Sequence, residues 1–363
     1  FQGYLRGEPA YADFFIDQDP AADLSAVIRP RSLPLLTPFE SASGTKNIWT
    51  TFSDDQVDLN YANPRVMLAM LQTLVEYARR GARIIRLDAI AFLWKEVGTN
   101  CLHLPQTHAA VKLMRHVLDR VVPGTLVLTE TNVPHAENIS YFGNGHDEAH
   151  MVYQFSLPPL LLDAIHSRDT SVIRDWMATL KPPSDEATFF NFTASHDGVG
   201  VRPLEGIVPD SRVARLAEIV RGQGGRVNTR RNADGSDSPY ELNITWFDAM
   251  AGTVEGPDDL QLERFLCSQT IVMALEGLPA FYIHSLLGTP NDHAGVEKTG
   301  INRAINRHRW DYPTLRTRLA DPNSDQALVL SLIHISEPTR HICLSRMPSS
   351  AGKGGGGGGG GGG

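Results

Sequence analysis

The stretch ARIIRLD, residues 82–88, decides the fold class. Its apolar, β-branched centre is typical of a parallel strand that is buried on both faces. The apolar-periodic stretch 64–80 before it predicts a helix, because Pro64 stands at its start and Gly81 follows its end. The strand itself ends in an acid, Asp88. A buried strand that follows a helix in this way is expected in βαβ units and a parallel sheet.

The same alternation of strand and helix repeats along the chain. Strands are predicted at 125–130, 151–155, 187–192 and 278–283, and helices at 105–121, 157–167 and 261–275. A spacing of roughly 30 residues per unit favours an α/β fold of the (β/α)8 TIM-barrel type. Periodicity alone leaves a doubly wound sheet as the alternative, but the sequence has no glycine-rich phosphate turn after a strand.

Two stretches interrupt this alternation. Residues 1–48 are rich in Pro, Asp, Ser and aromatic residues without a clean period, and residues 203–255 are also irregular. Long irregular segments in a compact barrel are usually functional loops or small insertions. We therefore predict a separate N-terminal segment at 1–48, barrel strands and helices at 49–202, an inserted loop subdomain at 203–255 and the end of the barrel at 256–329.

The composition excludes several classes of protein. The 363 residues carry a net charge of −8, with 42% hydrophobic and 20% charged residues, as soluble globular proteins do. The acidic balance and the lack of a long basic run argue against nucleic acid and membrane surfaces as partners. No apolar run approaches the roughly 20 residues of a membrane span. Three cysteines without metal-ligand spacing suit a reducing compartment, so we predict a cytoplasmic protein without a metal site.

The end of the chain differs in character from the rest. Residues 330–340 match the translation of a sequencing adapter, and an unbroken glycine run from Gly354 to Gly363 is what an unread poly-G tract would encode. We therefore interpret residues 330–363 as a non-native tail on a natural chain that ends near Val329. A flexible linker is the alternative.

Three acids follow predicted strands: Asp88, Glu130 and Asp197. In a barrel the carboxyl ends of the strands converge on one face, which holds the active site. A lone acid at a strand end is more often the N-cap of the next helix than a catalyst. Three such acids together favour a shared site, at the ends of barrel strands that we number four, five and seven.

Three segments around these acids resemble signature regions of the α-amylase superfamily: RLDAI at 86–90, TLVLTETN at 125–132 and TASHDG at 193–198. The resemblance implies that Asp88 is the nucleophile, Glu130 the general acid/base and Asp197 the stabiliser of the transition state. It also implies substrate contacts from Arg86 and His196, which stand beside the nucleophile and the stabiliser.

These residue types suit retaining glycosyl transfer. One carboxylate must attack the anomeric carbon while another, about 5 Å away, protonates the leaving oxygen. Arg86 lies two positions before Asp88, so both side chains project to the same side of the strand, and its charge is expected to keep Asp88 ionised. Glu130 must begin protonated, so we expect burial or nearby charge to raise its pKa.

Further segments resemble the sucrose-phosphorylase branch of this superfamily: IRPRSLPLLTPF at 28–39, FSDDQVDLNY at 52–61, FSLPPLLLDAI at 155–165, SPYELN at 238–243 and INRAINRH at 301–308. Within that branch, the resemblance to glucosylglycerate phosphorylases extends over nearly all of residues 1–329. Sucrose phosphorylases typically have His two positions after the acid Glu, whereas this chain has Asn132. That departure favours the glycerate group.

This resemblance implies transfer of a glucosyl unit from 2-O-α-glucosylglycerate to phosphate, which gives α-glucose 1-phosphate and glycerate. The partners are then a small-molecule glucoside and phosphate, and phosphate is a substrate rather than a cofactor. The alternatives are a sucrose or sucrose 6-phosphate phosphorylase, an α-glucosidase-type hydrolase, and an inactive carbohydrate-binding paralogue. The sequence makes no prediction of the oligomeric state.

The resemblance also implies a phosphate site, formed by Arg31, by Tyr240 in a loop and by Arg307. Arginine offers phosphate a planar fork of donors, and tyrosine a neutral donor. The alternative for the two arginines is a surface or packing role. Gln56 is expected near the glucose site, and Asn132 either contacts the acceptor or caps a loop.

By the same resemblance, the chain begins inside the small B domain, of which residues 1–48 are the remainder. Residues 49–202 then hold about the third to the seventh units of the barrel. The first strands of the barrel, the Asn-His signature region and the C-terminal β domain of the family would lie outside this sequence. We therefore expect an incomplete barrel, whose folding and activity on its own are not assured.

Overall fold

The structure is a computed structural model that describes residues 1–30, 33–231 and 236–335. Within these residues the strands are β1 (Leu36–Ser41), β2 (Gly44–Trp49), β3 (Ile84–Leu87), β4 (Leu126–Thr129), β5 (Met151–Tyr153), β6 (Thr188–Asn191), β7 (Val199–Gly200), β8 (Arg226–Arg231), β9 (Asp237–Asn243), β10 (Gly252–Thr253), β11 (Gly256–Pro257) and β12 (Leu278–Pro279). The α-helices are α1 (Gln2–Leu5), α2 (Pro64–Arg79), α3 (Pro105–Val121), α4 (His135–Ile139), α5 (Leu157–Ser167), α6 (Ser171–Met177), α7 (Asp210–Gly222), α8 (Gln261–Ala274), α9 (Ile283–Leu286), α10 (His293–Thr299), α11 (Tyr312–Ala320) and α12 (Asp325–Ile335).

Five strands form one parallel sheet in the order β12-β6-β5-β4-β3. Neighbouring strands are parallel throughout, with Ile84 opposite Leu126 in β3 and β4, and Met151 opposite Thr188 in β5 and β6. At least one helix lies between each pair of successive strands along the chain. This arrangement is an arc of a (β/α)8 barrel, so the predicted fold is confirmed.

The long predicted helices begin and end where local signals place them. Helix α2 starts at Pro64, and the side chain of Asn63 caps it by accepting the backbone N–H of Arg65. The chain then turns at Gly81, whose φ of +104° favours glycine. The bounds of α3 and α5 coincide with the predictions 105–121 and 157–167.

Two groups of buried side chains hold the arc together. Helices α2 and α3 pack on β3 to β6 through residues such as Val111, Leu118 and Val127. Helices α5, α7 and α8 share a second buried cluster with strands β7 and β9, through residues such as Leu160 and Phe265. These buried side chains fix the strands in position. The carboxyl ends of the strands can then present polar side chains.

The region 203–255, whose sequence has no clean period, contains regular elements in the structure. It contains α7 and the strands β8 and β9, and these strands form an antiparallel sheet with β7 in the order β7-β9-β8. Strand β8 reads RVNTRR, so it lacks the apolar alternation that marks a half-buried strand. Tyr240 therefore lies on strand β9 and not in a loop.

Three smaller differences separate prediction from structure. Residues 36–49 form the β1–β2 hairpin, in which Gly44, the first residue of β2, has a φ of +109°. The strand predicted at 278–283 is shorter in the structure, where β12 spans Leu278–Pro279 and the next residue, Ala280, donates its backbone N–H to Asn191 on β6 at 2.8 Å. In the described part of 49–202 there are four parallel strands, β3 to β6, rather than the five that units three to seven imply.

Part of the predicted tail at 330–363 falls within α12, and residues 336–363 lie outside the described residues, as does Arg31. Within the described ranges, none of the helices combines the length and the apolarity that crossing a membrane requires.

Candidate active site

The three predicted acids meet at one end of the parallel sheet. Asp88 directly follows β3, Glu130 directly follows β4, and Asp197 lies in the segment between β6 and β7. All three line one cavity of about 270 Å³. The carboxyl ends of parallel strands share one edge of a sheet, and this is why acids far apart in sequence come together here.

Arg86 connects two of these acids. One of its guanidinium nitrogens donates to Asp88, and the other lies 3.8 Å from Oε2 of Glu130. The backbone N–H of Ala89 also donates to Oε2 of Glu130, at 2.8 Å. The ring of Tyr153 supports the guanidinium, with 5.5 Å between the ring centroid and the guanidinium carbon. Asp88 is thus held by a hydrogen bond to Arg86, and Glu130 is held by the Ala89 N–H and by the nearby charge of the same guanidinium.

The environments of these two carboxyl groups differ. The Asp88 side chain is 69% exposed to the cavity and solvent, whereas that of Glu130 is 14% exposed. Burial raises the pKa of Glu130, and the negative charges of Asp88 and Asp197 raise it further, against the opposing effect of Ala89 N–H and Arg86. An open carboxyl group beside a buried one is the pattern that divides nucleophile and acid roles between two acids.

Asp197 is bound by two arginines from the segment before α11. Arg303 lies 2.5 Å from its Oδ1, and Arg307 lies 3.2 Å from the same atom. Arg307 also donates to the carbonyl oxygen of His196 at 2.6 Å, and Nε2 of His196 lies 3.8 Å from Oδ2 of Asp197. The guanidinium groups therefore fix the position of this carboxylate from one side.

Arg303 bridges Asp197 to a second acid, Glu241 on β9. The guanidinium contacts both carboxylate oxygens of Glu241, at 2.6 and 3.1 Å, and the Glu241 side chain is only 1% exposed. Glu241 also accepts from the backbone N–H of Gly198 and from Asn228, at 3.2 and 2.9 Å. Burial opposes the charge of Arg303, but the ion pairs with Glu241 and Asp197 raise its pKa overall.

Sequence reasoning missed Arg303 and Glu241. The segment 301–308 resembles a family motif, but the resemblance predicts a site role for Arg307 and none for Arg303. A signal for Arg303 existed, since it stands four positions before Arg307 in a segment that contains two copies of the tripeptide INR. Nothing in the sequence alone paired Arg303 with Glu241, which is 62 positions away.

Apart from Arg86, which lies beneath Asp88 and Glu130 and is not part of the lining, the other predicted site residues that the structure describes line the cavity: Gln56, Asn132, His196, Tyr240 and Arg307. Arg31 falls outside the described residues, although Arg29 and Pro30 just before it are part of the lining. Asn132 packs on the backbone of Gly200, where a Cβ atom would lie 2.3 Å from its amide nitrogen. A side chain at position 200 would therefore displace the amide of Asn132.

Aromatic and cationic residues complete the lining. Phe52 and Phe92 pack edge to face with their centroids 5.4 Å apart, and together with Phe155 they give the cavity apolar walls. Such faces suit the C–H surfaces of a sugar ring. Arg202 and Arg230 also line the cavity and were not predicted. Among residues 1–30, 33–231 and 236–335, no cluster of three or more His, Cys, Asp or Glu side chains is placed to hold a metal ion.

The sequence matches a known family and several known proteins. The family described as alpha amylase, catalytic domain, matches residues 1–198. A glucosylglycerate phosphorylase from Allomeiothermus silvanus is 53% identical over 332 residues, which cover 91% of this chain and 60% of that protein. A sucrose phosphorylase from Bifidobacterium adolescentis is 27% identical over 311 residues, which cover 83% of this chain and 58% of that protein.

A solved structure shares the fold. The crystal structure of sucrose 6F-phosphate phosphorylase from Thermoanaerobacter thermosaccharolyticum superposes with a TM-score of 0.79 at 21% identity, over 95% of this chain and 68% of that one. The chain spans about 60% of the length of the A. silvanus relative. Since the family match covers more than half of the sequence and includes all three acids, the chain belongs to the alpha-amylase family.

Proposed function

We propose that this chain supplies the catalytic centre of a retaining glycoside phosphorylase acting on 2-O-α-glucosylglycerate. The observation that carries the proposal is the pair formed by the open carboxylate of Asp88 and the buried carboxyl of Glu130, held together through Arg86 and Ala89. In a retaining glycosidase mechanism, one acid attacks carbon while its neighbour transfers a proton.

The reaction proceeds in two displacements. In the first, an oxygen of Asp88 bonds to the anomeric carbon, the bond to the glyceryl oxygen breaks, and Glu130 donates its proton to that oxygen. Glycerate leaves. In the second, a phosphate oxygen bonds to the same carbon, the ester to Asp88 breaks, and Glu130 takes up the phosphate proton. The product, α-glucose 1-phosphate, keeps the original configuration.

Asp197 contacts the sugar ring and takes no part in forming or breaking the glycosidic bond. Its carboxylate is fixed by Arg303 and Arg307, so it is preorganised to hold sugar hydroxyl groups and to face the positive charge that develops on the ring. His196 and Gln56 line the same cavity and are proposed to contact the glucosyl unit.

Two kinds of observation support a phosphorylase of the glycerate group. The chain is nearly twice as similar to a glucosylglycerate phosphorylase as to a sucrose phosphorylase, and Asn132 stands where sucrose phosphorylases typically have His. The leaving group glycerate and the acceptor phosphate are both anions. The cavity lining contains several arginines that could bind them. The phosphate contacts of Arg31, Tyr240 and Arg307, the domain assignments, and the cytoplasmic location stay predictions.

Product analysis tests the proposal. The full-length enzyme is incubated with glucosylglycerate, sucrose or sucrose 6-phosphate, each with and without phosphate. We expect phosphate-dependent glucose 1-phosphate from glucosylglycerate above all. Faster phosphorolysis of sucrose or its 6-phosphate would select that phosphorylase instead. Free glucose at the same rate with and without phosphate would identify a hydrolase, and no product from any glucoside would favour a binding protein.

A first prediction concerns the support of Asp197. Glu241→Gln removes the charge that holds Arg303, and Arg303→Lys removes the planar fork that reaches both acids. Because small misplacements of a catalytic group are costly, we expect kcat to fall by about 10- to 100-fold in each variant, with a smaller change in KM. Steady-state kinetics and thermal unfolding are measured together.

Arg221→Gln is the control for this prediction, since it breaks an exposed pair with Glu218 outside the cavity. It should leave kcat unchanged. A lower melting temperature with normal kcat in the Glu241 and Arg303 variants would assign the pair to folding alone.

A further inference from the structure

One wall of the cavity carries more positive than negative charge. Arg202 lies two residues after β7, and Arg230 lies on β8, so the two stand beside and on the antiparallel sheet β7-β9-β8, and both line the cavity. They share one carboxylate. Glu205 lies 2.9 Å from Arg230 and 3.6 Å from Arg202. Among the side chains that the structure describes on this wall, the two arginines thus share the single carboxylate of Glu205.

The three other arginines near the predicted acids differ in this respect. Arg86 donates to Asp88, while Arg303 and Arg307 both contact Asp197. Their positive charges are paired with the carboxylates of Asp88 and Asp197, which would surround the sugar. Within the described residues, Arg202 and Arg230 add positive charge on the sheet wall, and Arg29 lines the cavity from a separate segment.

Arg202 is the less satisfied of the two cations on this wall. Its side chain is 14% exposed, and its Nε is buried without a hydrogen-bond partner. In the part of the chain that the structure describes, its closest acidic contact is Glu205 at 3.6 Å, which is beyond hydrogen-bond distance. A buried guanidinium nitrogen without a hydrogen-bond partner is costly, so a ligand oxygen that reached this side chain would gain more than it would from a solvated cation.

We propose that Arg202, with Arg230 beside it, binds the carboxylate of the glycerate moiety, first as leaving group and then as acceptor in the reverse reaction. This inference rests on the proposed function, and it names the group that selects the substrate. A guanidinium presents a fork of N–H donors that matches the two oxygens of a carboxylate. A neutral acceptor of similar size, such as glycerol, gains nothing from this charge.

Glucosyl transfer from α-glucosyl fluoride tests the assignment, because the loading step is then the same for every acceptor. Glycerate, glycerol, phosphate and water are compared as acceptors in the full-length enzyme. In Arg202→Gln we expect KM for glycerate to rise by about 10-fold or more, as is typical when one partner of a charged hydrogen-bonded pair is removed. Transfer to glycerol and to water should change by less than about 2-fold.

A second variant acts in the opposite direction. Glu205→Gln removes the anion that the two arginines share, so KM for glycerate should fall while transfer to glycerol stays constant. This variant keeps the inference testable even if Arg202→Gln fails to fold. Arg168→Gln is the matched control, because it removes an exposed arginine that pairs with Glu255 away from the cavity. It should leave all four acceptors unaffected.

The phosphate comparison distinguishes the two oxyanions. A parallel rise in KM for phosphate in Arg202→Gln would show one anion site used by glycerate and phosphate in turn, whereas an effect on glycerate alone would restrict it to the carboxylate. Either result supports the assignment. It is overturned if Arg202→Gln keeps the parent's preference for glycerate over glycerol, or if it slows all acceptors equally.

Failure of the proposed function is recognisable separately. A parent enzyme that makes glucose from glucosyl fluoride, but neither glucose 1-phosphate nor glucosylglycerate, would overturn the phosphorylase proposal together with this inference. A parent that makes both products while Arg202→Gln behaves like the parent would overturn only the assignment of Arg202.

Discussion

Asp88→Asn is expected to abolish glucosyl transfer to every acceptor, including water. Asparagine has nearly the same shape as aspartate, but its amide cannot form the glycosyl ester on which both displacements depend. Loss of a covalent nucleophile typically lowers kcat by roughly 10⁴-fold or more. Glucose 1-phosphate release from glucosylglycerate and fluoride release from glucosyl fluoride both measure the effect.

The loss should reflect chemistry and not unfolding. The Asp88 side chain is 69% exposed, and its recorded hydrogen bond is to Arg86, so the amide should be accommodated without a large change in melting temperature. Asp175→Asn provides a matched control, because Asp175 is an exposed aspartate on α6 that pairs with the neighbouring Arg174 outside the cavity. If a folded Asp88→Asn enzyme kept a tenth of the parent activity, the nucleophile would have to be a different residue.

The sequence predicted those parts of the fold whose pattern is strongly apolar. Helices α3 and α5 have the predicted bounds because apolar residues repeat at the helical period and proline marks each start. The strands β8 and β9 escaped prediction because their side chains are mostly polar. A strand that lines a polar cavity loses the alternation on which sequence reasoning depends.

The same contrast holds within the candidate site. Asp88, Glu130 and Asp197 could be named because each follows a recognisable strand or motif. Arg202 and Glu241 could not, because their importance comes from burial and from neighbours distant in sequence. Asn228, for example, reaches Glu241 only because β8 and β9 pair. Such contacts depend on tertiary structure, so a local sequence pattern does not predict them.

Glu130→Gln is expected to separate two classes of substrate. Natural leaving groups such as glycerate need a proton, so their kcat should fall by about 10²- to 10⁴-fold. Fluoride leaves with little acid assistance, so glucosyl fluoride should still load the enzyme at close to the parent rate. Intact-mass measurement after loading, without an added acceptor, should then detect one glucosyl unit, and peptide mapping should locate it on Asp88.

The pH dependence gives an independent measure of the same role. Burial raises the pKa of Glu130 above its ordinary value, so in the folded enzyme the protonated, active form persists to higher pH than in an exposed glutamate. Activity on glucosylglycerate should therefore fall as the pH rises through this raised pKa, and the basic limb of the kcat profile should lie above the usual carboxyl range. In Glu130→Gln that limb should disappear, and in the parent it should be weak with glucosyl fluoride. Equal damage to both substrates, with the basic limb unchanged, would mean that Glu130 supports the fold through Ala89 and Arg86 and transfers no proton.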